Sequence, residues 1–387
     1  MSELVKVEQE DPSIVARNTV LKIGNKRILT PCRALHLREK KECEAVGVTD
    51  LATRGLNEIY RRLKFNTLHK LETDVSYQEQ FNASIMNALR KIPWQVELTL
   101  LFVEYDSQRQ IPADKQIEYL FDLIYNQPTD TLIPPVLRDV SPTAYLDFLN
   151  RFFQLADSYN RKPIFGLIPY GSHRDLSMIL DFYLSKGVTL FAMDLKGRHP
   201  FLVSTQLGMI TRKLQETRKE YNQDGYLHGF NTGSGRALRT LEISPAKDIL
   251  SFYSGFDSFG ASHVPLKLTP DLYQRLGTHA KTPPIRFFNR DDYGYYREDI
   301  ANVKGLFASR GDLASQIDSI NKITDMNKKR AFQRILNARE QGVEARNIRQ
   351  KIQERELKNY LESKSQVKRE IKQVIEFGAK MKLTKAL

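Results

Sequence analysis

The 387-residue chain is 41% hydrophobic and carries 59 Lys and Arg against 46 Asp and Glu, a formal charge of +13. That is enough apolar material for one large domain of about 250–300 residues plus an appendage. No run approaches the roughly 20 apolar residues of a membrane span, and the start MSELVKVEQEDPS has no apolar signal-peptide core, so a soluble cytoplasmic protein is expected.

In chain order, NTVLKIGNKRILTP places Gly24-Asn25 between two short β-forming runs, a hairpin signal. Cys32 and Cys43 are the only cysteines and have no histidine cluster beside them, so reduced thiols are expected. Residues 49–91 read as helical and contribute early elements of the main fold, whose strands the pattern does not place. Six strands are then predicted: VELTLLFVEYD ending at Asp106, TDTLIPPVLRDV at Asp139, KPIFGLIPYG at Gly171, GVTLFAMDLKG at Asp194, GYLHGFNTG at Asn231 and KDILSFYSGFD at Asp257. The segments between them, such as PADKQIEYLFDLIYN, SPTAYLDFLNRFFQLADSYN and HRDLSMILDFYLSKG, carry apolar residues at helical spacing. Ser141 suits an N-cap and Pro142 the first helical position.

A strand–loop–helix unit recurring every 23 to 37 residues or so suits a (β/α)8 TIM barrel, whose reactive groups lie at the C-terminal strand ends. Four of the six runs end on or near an aspartate, which points to a polar site at that mouth. An open doubly wound sheet is the other arrangement compatible with the pattern. His228 precedes a GSG loop with Arg236 nearby; the loop either holds a phosphate or leaves a histidine satisfied by local bonds. His263 follows the last predicted strand.

Beyond it, the aromatics of TPPIRFFNRDDYGYYREDI either stack nucleic-acid bases beside Arg286, Arg290 and Arg297 or pack a subdomain core. Residues 321–387 hold 18 Lys and Arg against 8 Asp and Glu, a net of +10, with no proline and many strong helix formers. The chain is therefore read as a domain over 1–310, hairpin included, and a basic helical extension over 311–387. The extension's sparse apolar stripe would pack on the main domain, pair with a partner protein or second copy, or lie along a phosphate backbone contacted by Lys328, Lys329 and Arg330.

Four ordered stretches within residues 16–265 together resemble the tRNA-guanine transglycosylase superfamily, including its branch that inserts 7-deazaguanine bases into DNA. ARNTVLKIGNKRILTPCRAL is similar to the family's opening hairpin, VEYDSQ to its Asp-Ser-Gly-Gly segment, RKPIFGLIPYGSHRDL to a strand and loop enclosing the base, and GFDSFGASH to its nucleophile segment. The resemblance implies a TIM-barrel pentosyltransferase whose base exchange needs no cofactor. Asp257 would attack C1′ of a guanosine nucleotide, and a preQ0-like base would displace the enzyme from the covalent intermediate. Asp106 would be the general acid/base, and Asp139 would read the guanine edge unless it only caps the next helix. Ser107, Gly171 and Asp194 would complete the base pocket, although Asp194 equally suits a bond to its own loop.

DNA is favoured as the substrate, with tRNA as the alternative. Two departures from the family pattern stand out. Gln108 and Arg109 replace two glycines, so that loop is not expected to keep the glycine conformations. The absence of cysteine beyond Cys43 excludes the family's thiolate zinc module. A non-catalytic nucleic-acid-binding barrel assisting a partner and an unrelated two-carboxylate glycoside hydrolase are the competing readings.

Overall fold

The computed structural model describes residues 3–36, 55–90, 96–159, 162–235, 241–263, 284–297, 317 and 322–386; Cys43 and Arg236 lie outside them. The first three strands, β1 (Glu3–Glu10), β2 (Arg17–Ile23) and β3 (Lys26–Leu29), form an antiparallel sheet. The β2–β3 hairpin turns at Gly24, whose φ of 58° favours glycine.

Two parallel sheets follow. One has β4 (Cys32–Arg33), β13 (Ser258–Ala261), β11 (Tyr226–Thr232), β10 (Leu190–Asp194) and β9 (Phe165–Ile168) in that order. The other runs β5 (Leu35–His36), β6 (Leu56–Lys64), β7 (Leu98–Asp106), β8 (Val136–Leu137). Only Ala34 separates β4 from β5, and its N–H donates to the Phe259 carbonyl at 2.8 Å. At the opposite margin a parallel bridge pairs Leu132 with Ile164, just ahead of β8 and β9.

Strand alternation divides the core. Leu98, Leu100 and Phe102 share a cluster with Leu56, Phe165, Leu190, Tyr226 and the hairpin residues Leu21, Ile23 and Ile28. Leu101, Val103 and Tyr105, on the other face of β7, belong to the cluster that the helices cover. The inner faces of the two parallel sheets meet, with Phe102 stacked on Phe230 at a ring separation of 3.9 Å.

The covering helices are α1 (Phe65–Thr73), α2 (Val75–Leu89), α3 (Asp114–Tyr125), α4 (Pro142–Ser158), α5 (His173–Ser185) and α6 (Ser204–Tyr221). Ser141 caps α4 by accepting from the Ala144 N–H, and Pro142 opens the helix. Phe148, Phe152 and Phe153 of that helix are fully buried, each burial favourable by roughly 1.5–3 kcal/mol.

Two predicted elements differ. Residues 49–91 are not helical throughout, because Leu56–Lys64 form the long strand β6. The apolar run before Asp257 is not a strand either: Ile249–Tyr253 form a 3-10 turn, all five residues buried, and β13 begins after Asp257.

A third sheet, β12 (Ile243–Pro245), β15 (Gly294–Arg297), β14 (Arg286–Asn289), is antiparallel. Its aromatics Phe287, Phe288, Tyr295 and Tyr296 are buried, so they pack a core and do not present rings for base stacking. The basic tail forms α7 (Met326–Glu354), α8 (Leu357–Glu362) and α9 (Lys368–Ala386). The middle of α7 is buried and packs on β1, β2, β4 and β14, while α9 packs on α6. The apolar stripe thus packs within this chain, the first of the three arrangements expected of it. Among the described residues no helix is long and apolar enough to cross a membrane.

Candidate active site at the strand ends

Asp257 lies at the wrong end of the strands for the role expected of it. Its backbone N–H donates to the Leu227 carbonyl, and β11 and β13 run parallel with His228 beside Ser258, so Asp257 sits where both strands start. Its side chain is 0% exposed, and each oxygen accepts two hydrogen bonds. Arg17 Nε (3.0 Å) and Thr19 Oγ1 (2.6 Å) donate to Oδ1; Arg17 Nη2 (2.6 Å) and Leu227 N (2.8 Å) donate to Oδ2. Burial would lower the Arg17 guanidinium, but the Asp257 charge and hydrogen bonds outweigh it and hold it above its ordinary value. A carboxylate with no exposed surface and its lone pairs engaged cannot reach a sugar carbon; it ties the N-terminal hairpin to the parallel strands.

The other end of the strands is polar and accessible. On β7 the face carrying Leu98, Leu100 and Phe102 continues to Glu104 and Asp106; on β6 the Leu56 face continues to Glu58, Tyr60 and Arg62. Tyr60 Oη donates to Glu104 Oε2 at 2.6 Å, and Arg62 Nε lies 3.2 Å from Glu104 Oε1. Asp106 is 35% exposed, with Arg138 Nη1 at 3.4 Å and Arg62 Nη2 at 3.9 Å from its Oδ2.

Asp194 ends β10, 3% exposed. Lys196 N and Asn231 Nδ2 both donate to its Oδ1 at 2.9 Å, whereas Oδ2 has no donor among the described residues. Burial raises the Asp194 carboxyl above its usual range; those two hydrogen bonds oppose the rise and the Glu104 charge adds to it.

The C-terminal ends of these strands and the loops after them hold strained backbone. Gln108, Arg109, Asp139, Lys196 and Asn231 all have φ between 46° and 66°. Such residues cost of order 1–3 kcal/mol each and concentrate at functional sites. Gln108 and Arg109 therefore do adopt the left-handed conformations expected to require glycine, which corrects that expectation. Across neighbouring strand-end loops, the Arg198 guanidinium lies 4.1 Å from the Tyr170 ring centre.

Behind these strand ends is a buried polar chain that sequence reading does not assemble. Tyr226 Oη donates to Ser258 Oγ (2.8 Å), which lies 2.7 Å from His228 Nδ1. His228 Nε2 is 2.6 Å from Glu58 Oε1, and His263 Nε2 is 2.7 Å from Glu58 Oε2. Glu58, His228 and Ser258 are each 0% exposed. Burial would raise the Glu58 carboxyl, but the two histidine hydrogen bonds overcome it and hold the group at about 2. Gly260 makes room for this carboxylate, since a Cβ there would stand 1.9 Å from Glu58 Oε1. His228 and His263 stand out in the sequence, but Glu58, Tyr60, Arg62 and Glu104 do not. The signal for the first three is the period-two alternation of LNEIYRRLK, and for Glu104 that of LTLLFVEYD.

The remaining predicted residues divide. Ser107 is buried beside Asp106, and its Oγ has no hydrogen-bond partner among the described residues. Asp139 follows β8 with its side chain 54% exposed, 3.5 Å from Arg138 Nε, and Ser141 rather than Asp139 caps α4. Gly171 accepts from Gln206 Nε2 through its carbonyl at 3.4 Å. Arg286 is buried and donates to the carbonyls of Leu241, Glu242 and Tyr295, so it staples backbone and is corrected as a nucleic-acid contact. Arg290 pairs with Glu340 at 3.6 Å. Lys328, Lys329 and Arg330 occupy the first turn and a half of α7, away from the strand-end site in sequence and element; Lys328 is exposed. No family model matches the chain, and no curated protein matches it in sequence.

Proposed function

We propose that the chain is a nucleic-acid base-exchange enzyme, a pentosyltransferase that replaces guanine with a 7-deazaguanine of the preQ0 type at the mouth of a (β/α)8 barrel. The barrel reading rests on the order β5-β6-β7-β8 and β4-β13-β11-β10-β9, joined through Ala34 on one side and the Leu132–Ile164 bridge on the other. One circuit of eight parallel strands results when β4 and β5 count as a single interrupted strand.

The observation that carries the function is the meeting of Glu104, Asp106 and Asp194 with Arg62 and Arg138 at the C-terminal strand ends. Asp106, the most exposed of the three carboxylates, is assigned the attack on C1′. Asp194, with a raised carboxyl and an open oxygen, protonates the departing guanine. Arg62, Arg138 and Lys196 at the same end suit the phosphates of a nucleic acid, and DNA is preferred to tRNA. A duplex would have to present its base flipped out of the stack.

The saturation of Asp257 favours a second reading, a nucleic-acid-binding barrel without catalysis, because the residue matched to the family nucleophile is a structural clamp here. One experiment separates the two. The protein is incubated with labelled guanine or preQ0 and either duplex DNA or tRNA, and the digested nucleosides are analysed by mass spectrometry. Incorporation lost in Asp106→Asn supports base exchange at the mouth. Binding of nucleic acid with no incorporation into either polymer leaves the non-catalytic reading.

A further inference from the structure

We propose that His263 is the proton-accepting group of the strand-end site and that Glu58 is the residue that positions it. Glu58 receives an imidazole nitrogen on each oxygen, His228 Nε2 at 2.6 Å and His263 Nε2 at 2.7 Å. An ionised carboxylate only accepts, so both imidazoles donate from Nε2 and each neutral ring is left with an acceptor at Nδ1. On His228 that acceptor is taken, because Ser258 Oγ stands 2.7 Å away and itself accepts from Tyr226. On His263 it is open: Nδ1 has no hydrogen-bond partner among the described residues. The chain from Tyr226 through Ser258, His228 and Glu58 is therefore satisfied at every atom but its last, which lies just past the end of β13, on the side of Asp194 and Glu104.

The ring itself is fixed. His263 stacks on Tyr60 with centroids 5.1 Å apart and planes 9° apart, lies 4.4 Å from the His36 ring, and its backbone N–H donates to Asn231 Oδ1 at 2.9 Å. Glu58, Tyr60, His36 and His228 are the titratable groups packed around it. A carboxylate holding one imidazole nitrogen fixes the tautomer and favours the cation formed when the other nitrogen takes a proton. Gly260 keeps the space in which Glu58 does this.

Resting on the base-exchange reading, the assignment supplies its second half-reaction. The ring N–H of the incoming base loses its proton to His263 Nδ1, and the freed electron pair forms the new C1′–N bond. The C1′–O bond to Asp106 breaks, returning its pair to the carboxylate. The proton on His263 passes through solvent to Asp194, which has given its own to the departing guanine.

The test combines a spectroscopic and a kinetic readout. Imidazole 15N chemical shifts of the full-length protein are expected to show His263 as the Nε2–H tautomer. In Glu58→Gln, whose amide accepts from one ring only, one of the two histidines should lose that bias. His263→Gln is expected to lower kcat for base exchange about 10²-fold or more with KM within about threefold, and imidazole added to His263→Gly should restore part of the rate. An Nδ1–H tautomer at His263 overturns the assignment whatever the activity. So does a His263→Gln enzyme with the wild-type rate and pH profile, which leaves base exchange itself standing. If the wild type exchanges no base, the base-exchange reading fails alone, and the tautomer response to Glu58→Gln decides the dyad; no response overturns it.

Discussion

Replacing Asp257 with Asn distinguishes a structural clamp from a nucleophile. The carboxylate is fully buried and accepts from Arg17 twice, from Thr19 and from the Leu227 N–H. Asn keeps one acceptor oxygen and turns the other into a donor facing donors, while Arg17 loses its counter-charge. Breaking a buried ion pair on one side costs about 3–5 kcal/mol. With a urea slope of about 3 kcal/mol/M, the unfolding midpoint should fall by about 1–1.7 M. Arg17→Met should destabilise similarly, and the double variant should lose less than the two single losses added together by about 2 kcal/mol or more. Circular dichroism in urea reads all three. An Asp257→Asn midpoint within about 0.2 M of wild type, together with loss of base exchange, would refute the clamp and return the residue to catalysis.

Two further outcomes follow from strain and burial. Arg109→Gly relieves a φ of 66° and should stabilise the fold by about 1 kcal/mol in the same urea titration, and an unchanged or lower midpoint would show that no strain is stored there. Burial, with help from the Lys247 charge and against that of Glu370, depresses the His199 imidazole to about 4. A depressed folded value means the stability is present above the unfolded value of about 6.5 and is lost as pH falls towards 4, about 2 kcal/mol of it by pH 5. His199→Gln should flatten the stability profile between pH 6.5 and 5, and an unchanged slope there would show that His199 is not the group responsible.

The helices were the most legible part of the sequence, because a cap such as Ser141-Pro142 and a stripe such as Phe148, Phe152 and Phe153 are local signals. β6 was hidden by its neighbours. Its period-two pattern puts Glu58 and Arg62 on an inward face, and the strongly helical residues 65–89 follow without a break. Asp257 was misplaced because ILSFY has β-forming composition, yet all five residues are buried in a 3-10 turn, where packing overrides propensity. The tail shows its charge in the sequence but not its burial. Gln341 reaches Asp248 and Tyr295, and Glu344 meets Tyr293 and Tyr360, partners 16 to 93 residues away. Burial raises the Glu344 carboxyl, with Lys364 and the two tyrosines opposing, so this helix carries an internal polar core that composition alone reads as a solvated basic face.

Polar groups are buried at both ends of the same parallel strands, and their unused lone pairs tell the two ends apart. At the starting end every Asp257 acceptor site is filled by protein donors, so nothing remains for a substrate, and the cost of burying the charge is offset by Arg17. At the finishing end sites are open: Ser107 Oγ is buried and, like Asp194 Oδ2 and His263 Nδ1, has no partner among the described residues. Leaving a buried group such as the Ser107 hydroxyl unpaired costs roughly 1–3 kcal/mol. That cost, together with four left-handed residues in the adjoining loops and a fifth, Asn231, within β11, is stability given up at this end of the strands. The family motif falls on an acid whose bonding is already complete, whereas the open lone pairs lie at the finishing end, on Asp194 and His263.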